Sequence, residues 1–180
     1  EANHLKDHER TRNLFKKTSR ILYFCGAAIS GFLIPWTEEI LQFFLGKGYA
    51  GGAATLAIMF LYPIHQSMGQ IVGTTFYAVE RVALHVAISI SFMVASIGVT
   101  YFMLAPQDAF ISGLGLGSQG LALKLVAMQV LQVNVVAFAI SRILGWRFDW
   151  AYQVFGLAIC LVGGWLAHQL TMQFIDDISI

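Results

Sequence analysis

Of the 180 residues, 57% are hydrophobic and only 12% charged, with a formal net charge of +1 and a mean hydropathy of +0.68. Soluble domains carry about 25% charged residues, so a water-soluble globule is excluded, and no nucleic-acid partner is expected. Stretches free of Asp, Glu, Lys and Arg run over Ile21–Thr37, Tyr49–Val79, Val82–Gln107, Leu125–Ser141 and Trp150–Ile175. A hydrocarbon core about 30 Å thick takes roughly 20 apolar residues of helix, so an all-α polytopic membrane helix bundle of about five spans is predicted, near residues 19–45, 52–79, 83–105, 119–141 and 150–174. A membrane β-barrel would alternate polar and apolar residues over segments of about 10, whereas LHVAISISFMVASIGVTYFML is apolar around its full circumference.

In chain order, residues 1–20 form a polar, basic head that reads as a helix at the membrane surface and runs into the first span. Residues 21–180 then make up the transmembrane domain. The chain begins at Glu1 with no initiator methionine and no secretory leader, which reads as the middle or end of a longer chain. His4 and His8 lie one helical turn apart, but no third ligand and no HExxH arrangement accompany them, so neither metal nor cofactor is expected. Pro35 predicts a bend where the first span reaches the far interface, with Trp36 in the aromatic belt. The following FFLGKGYAGGAATL is no phosphate loop: Leu41 stands where the first glycine of GxxxxGK[ST] belongs, and Gly48 follows Lys47.

Pro63 interrupts the second span. Beyond it Gln66, Gln70, Thr74, Tyr77 and Arg81 follow at spacings of four, four, three and four, on one helical face. Unpaired amides facing lipid would cost several kcal/mol each, so this stripe faces other helices, as hydrogen-bonding glue or as the lining of a watery cavity. Gly69 and Gly73 make a GxxxG spacing for close packing. After the third span, SGLGLGSQG re-enters the membrane. Lys124 then stands inside the fourth span on a sector with Met128, Gln129 and Gln132. Two readings stay open for it, contact with an anionic ligand or snorkelling to the interface. Cys25 and Cys160 read as small buried hydrophobes, and Asn134, His65, His85 and His168 as packing residues. No Ser-His-Asp set, close carboxylate pair or Cys/His cluster supports an enzyme.

If the spans alternate, Lys6, Arg10, Arg12, Lys16, Lys17, Arg20, Arg81, Arg142 and Arg147 share one side, nine of the eleven cations. The positive-inside rule assigns that side to the cytoplasm and the C-terminus to the opposite face. The basic residues of the head, residues 1–20, would attract anionic membrane lipids; the alternative is a solvated connector that simply enforces topology.

The order of DHERTRNLFKKTSRIL, a proline-bearing span, EEILQFFLGKGYAGGAATL and PIHQSMGQIVGTTFYAVERVAL, then a glycine-rich turn into another span, resembles the C-terminal half of polysaccharide flippases of the MOP superfamily. The resemblance implies two pseudo-symmetric lobes of about 12–14 helices in all, of which this chain supplies most of one, and alternating access to a cavity between them. It implies a polyprenyl-pyrophosphate-linked oligosaccharide as substrate, flipped from the cytoplasmic to the periplasmic leaflet of the bacterial inner membrane. A polysaccharide polymerase and glycosyltransferases would be its partners. Lys124 and Arg81 would then meet pyrophosphate, and Gln66, Gln70, Tyr77 and Gln132 the sugar hydroxyls. The chain departs from that pattern in having few charges in its spans. Two alternatives remain: a MATE-like exporter of organic cations, and a non-transporting scaffold for glycan assembly.

Overall fold

In the computed structural model of the protein the described residues are 8–178, with side chains from Glu9 to Ile175. The expected His4–His8 pair, and the charges at Lys6, Asp176 and Asp177, therefore lie outside the described residues or side chains. The elements are α1 (His8–Leu33), α2 (Thr37–Leu45), α3 (Ala53–Met59), α4 (Tyr62–Ala78), α5 (Val82–Leu104), α6 (Gly117–Ile143) and α7 (Ala151–Ile178). No strand occurs among the described residues, and the molecule is an all-α bundle.

Four helical runs are long and apolar enough to cross a membrane: Glu9–Leu45, Val82–Leu104, Gly117–Ile143 and Ala151–Ile175. The first, 37 residues long, extends about 56 Å at 1.5 Å per residue. That exceeds the hydrocarbon thickness, so its polar ends project on both sides. No break marks residue 20, where the sequence reading divides a surface helix from the first span; α1 is continuous. At its far end Pro35, lacking an N–H, introduces a 3-10 turn over Ile34–Trp36, and Thr37 Oγ1 donates to the Ile34 carbonyl at 2.8 Å.

The predicted second span is not one of the four long helices, because Pro63 splits it into α3 and α4. Phe60 and Leu61 between them keep right-handed helical dihedral angles, so the break is a kink rather than a loop. Both halves follow α6 in a constant register. Thr55 meets Ser118 and Gln66 meets Gln129, each pair 63 residues apart, and Gly69 packs on Val133. The pair α3–α4 thus accompanies α6 as one kinked passage.

α1 is central, packing on α7 and α4. It runs antiparallel to α4, where Gly26 faces Ile64 and the Ser30 hydroxyl bonds the Phe60 carbonyl. It runs parallel to α7, where Arg20 meets Asp149 and Tyr23 meets Gln153. The α1–α7 crossing is made by small residues. A Cβ on Gly164 would collide with the Gly31 carbonyl, and one on Gly31 with the Cys160 carbonyl. The glycine hydrogens in those positions point at carbonyl oxygens, the geometry of weak Cα–H···O bonds. Pro35 also withholds the N–H that would otherwise bond the Gly31 carbonyl. After α5 the glycine-rich segment folds back to cap it: the N–H groups of Leu114, Gly115 and Leu116 bond the carbonyls of Phe102, Ala105 and Met103 at 2.8–3.0 Å. Gly115 does so at φ 60°, a value glycine adopts without strain.

Apart from the glycine contact, a buried amide junction joins four elements. The Tyr23 hydroxyl of α1 donates to the Gln153 main-chain carbonyl of α7 at 2.9 Å. The Gln153 side chain faces His65 of α4 at 3.3 Å and donates to Asn134 of α6 at 2.9 Å. Around it lie Ile64, Met68, Val72 and Phe76 of α4, Val133, Val136, Ala137 and Ile140 of α6, and Phe15 and Trp146, whose ring centroids are 5.6 Å apart.

Two stability predictions follow for thermal or denaturant unfolding in detergent micelles. Gly164→Ala should cost about 1–3 kcal/mol by overpacking against backbone, while Gly163→Ala, which has open space within 4 Å, should be neutral or slightly stabilising; equal losses at both would refute the close crossing. Gln153→Leu should destabilise by about 1–3 kcal/mol, because it strands the polar groups of Asn134 and His65. A neutral result would mean that the junction carries no stability.

Candidate functional site

On α4 the proline-started helix carries two faces. Ile64, Met68, Val72 and Phe76 recur every four residues and are buried against α1 and α6. The neighbouring face presents Gln66, Gly69 and Gln70 to a cleft between α4, α5 and α6. Gly69 permits the approach, since a Cβ there would lie 3.1 Å from Val133 Cγ2. On α5, Ser89, Phe92, Met93 and Ser96 recur at helical spacing and form the facing wall. From α6 come Lys124, Met128, Gln129 and Gln132.

The cleft consists of two adjoining cavities of about 200 and 270 Å³ that share Ser89, Gln129 and Gln132. Between Lys124 at one end and Val136 at the other, it follows α6 for about 18 Å. Its polar groups are mostly neutral. Gln129 Nε2 donates to Gln66 Oε1 at 2.8 Å, and Gln132 Nε2 reaches Ser89 Oγ at 3.4 Å. Gln70 stands exposed in the wall. At the end nearer the start of α5, the His85 ring stacks on Phe76 with centroids 5.3 Å apart, and its Nδ1 is buried without a partner.

Lys124 supplies the charge. It begins the third turn of α6, is 8% exposed, lines the larger cavity, and takes part in no ion pair among the described residues. An ammonium inside a membrane helix is costly unless an anion, a carbonyl or water meets it. The cleft is where such a partner can reach it. No Asp or Glu belongs to the cleft walls.

The structure thus gathers Gln66, Gln70, Gln132 and Lys124 around one space and leaves Tyr77 and Arg81 outside it. Tyr77 is 62% exposed on the last turn of α4. Arg81 lies beyond that helix, past a turn in which Glu80 adopts φ 56°, and its carbonyl begins α5 by accepting from the N–H of Leu84 and His85. The four-residue spacing from Tyr77 to Arg81 therefore does not put them on one face. Ser89 and Ser96 were not singled out from sequence. Their separation of seven, which puts both on one face of a mostly apolar helix, is the signal that marks them.

Comparison of the chain with family models, with curated proteins and with solved structures finds no match. If the cleft holds water, a charged, membrane-impermeant thiol reagent should label Ser89→Cys and Gln132→Cys in a protein whose Cys25 and Cys160 are replaced by alanine. Ile97→Cys, on the exposed apolar side of α5, should stay unlabelled. Equal labelling of Ile97→Cys would show that reagent access is not a property of the cleft.

Proposed function

We propose that the protein is one lobe of a membrane transporter that flips a lipid-linked oligosaccharide from the cytoplasmic to the outer leaflet by alternating access. The observation that supports this reading is the cleft itself: carboxamides and hydroxyls along its walls and one unpaired lysine at its end. Neutral amides suit sugar hydroxyls, because they donate and accept without bringing a counter-ion into the membrane. A single ammonium suits a phosphate or pyrophosphate linker. The order of sequence features that resembles MOP-superfamily polysaccharide flippases supports the same reading, with Gln66, Gln70 and Gln132 toward the glycan and Lys124 toward the linker. In this reading the basic end of the bundle faces the cytoplasm of a bacterial inner membrane.

Export of organic cations would be better served by carboxylates, and the cleft walls contain none. The scaffold reading has one observation in its favour: the Gln66–Gln129 bond is the kind of interhelical amide pair that glues membrane helices. The combined change Lys124→Ala and Gln70→Ala separates the two, since neither residue is in that bond. In cells that depend on the protein, the double variant should reach the membrane at normal level and lower the glycan delivered to the outer leaflet by at least about tenfold, the scale of a lost charge-assisted contact. Normal delivery at normal protein level would overturn the cleft as the substrate path. A scaffold should tolerate the change.

A further inference from the structure

A second polar site lies at the opposite side of the bundle, where α1 meets the loop joining α6 to α7. A cavity of about 20 Å³ opens there between Lys16, Ser19 and Arg20 of α1 and Trp146, Arg147 and Phe148 of the loop. Ser19 is 1% exposed, and its hydroxyl has no hydrogen-bond partner among the described residues. A buried hydroxyl without a partner is destabilising, so a guest oxygen that accepts from it is stabilised there. The lining carries three cations, Lys16, Arg20 and Arg147, against one carboxylate, Asp149. Arg20 is fixed by Asp149 at 2.7 Å and lies 5.3 Å from the centre of the Tyr152 ring. Lys16 and Arg147 belong to no ion pair among the described residues.

Depth identifies the guest. Arg20 is the last charge on α1 before the charge-free stretch from Ile21, and Asp149 the last before the one from Trp150. Because α1 and α7 run in parallel, both helices enter hydrocarbon at the level of this cavity, which is the level of lipid phosphates. Trp146, Phe148 and Trp150 add the aromatic side chains that favour that zone. We propose that this is a binding site for the phosphodiester headgroup of an anionic phospholipid. One phosphate oxygen accepts from Ser19 Oγ, and the others face the ammonium of Lys16 and the guanidinium of Arg147. The cavity admits a single oxygen and not a whole phosphate, so the headgroup sits at its mouth with its acyl chains directed toward the exposed Phe24 one turn further along α1. The site is independent of the transport reading.

The test is thermal unfolding of the purified protein in neutral detergent, titrated with phosphatidylglycerol, with phosphatidylcholine and with inorganic phosphate. Phosphatidylglycerol should raise the midpoint saturably, and the other two should not. Lys16→Gln with Arg147→Gln should weaken the apparent affinity roughly thirtyfold, and Ser19→Ala should weaken it without lowering the lipid-free midpoint. Arg12→Gln with Lys17→Gln, an equal loss of charge outside the cavity, should leave the affinity within about twofold of the native value. An equal loss in that control pair would mean diffuse attraction rather than a site. Native affinity in Ser19→Ala would mean that water, not phosphate, occupies the cavity. A midpoint shift with inorganic phosphate equal to that with lipid would remove the lipid from the proposal. Any one of these three results overturns it.

Discussion

The carboxamide of Gln153 is the junction on which the bundle's geometry depends. In hydrocarbon, apolar surface gives helices little reason to choose one neighbour over another, because lipid tails are as apolar as leucine. Polar groups and close backbone contacts must supply the choice. Gln153 answers to three helices at once: its carboxamide faces His65 and donates to Asn134, and its main-chain carbonyl accepts from Tyr23. The amide's donors and acceptor lone pairs have fixed directions, so satisfying His65 and Asn134 together sets the height and rotation of α4 and α6 about the junction, and the Tyr23 bond ties α1 to the α7 backbone at the same level. The Gly31–Gly164 crossing lies two to three turns away on the same pair of helices. It forms only in the register that the junction sets, since a shift of one residue would bring Cβ atoms against backbone.

This register has a consequence for the cleft. With His65, Met68 and Val72 of α4 turned toward the junction and its apolar surroundings, Gln66, Gly69 and Gln70 are turned toward α5 and α6. The two faces belong to one short helix, so the structural core and the candidate site cannot move independently. α5 differs. Its packing is chiefly on α6, no residue in it is fully buried, and its surface is mostly apolar. Few buried contacts mean a low cost of displacement, so α5 is the wall whose movement would open or narrow the cleft, while α1, α4, α6 and α7 hold as a unit.

Much of the architecture was legible in the sequence because bilayer thickness turns composition into length: the charge-free stretches mark where the chain passes through. The kink at Pro63 and the turn at Pro35 were legible for a local reason, a missing N–H. Pairings between distant residues were not. Gly31 and Gly164 belong to no GxxxG pair within one helix, and their meeting depends on a parallel pairing of residues 133 apart in sequence that local periodicity does not encode. Gln153 sits next to a tyrosine in a run that reads as ordinary interface. The stripe from Gln66 to Arg81 shows the converse error, since helical phase was carried past the end of the helix. α4 stops at Ala78, and the left-handed turn at Glu80 re-aims everything after it. Gln66 and Gln70 reach the cleft, Tyr77 is on the last turn of the same helix but does not line it, and Arg81 lies past the turn.

The chemistry of the cleft follows from what a membrane interior tolerates. Carboxylate and ammonium groups at midspan would have to pair with each other, and a cavity lined by closed ion pairs offers little to a ligand. Amides and hydroxyls can satisfy one another loosely, as Gln132 and Ser89 do at 3.4 Å, and exchange those bonds for a guest at small net cost, because the number of hydrogen bonds is conserved. Lys124 is the exception, a charge with no anion paired to it among the described residues. It favours occupants that are themselves anionic and disfavours cations. If the cleft is a substrate path, a neutral, adaptable wall with one fixed charge at its end would select by the sign of the guest's charge first, and by the pattern of its hydroxyl groups second.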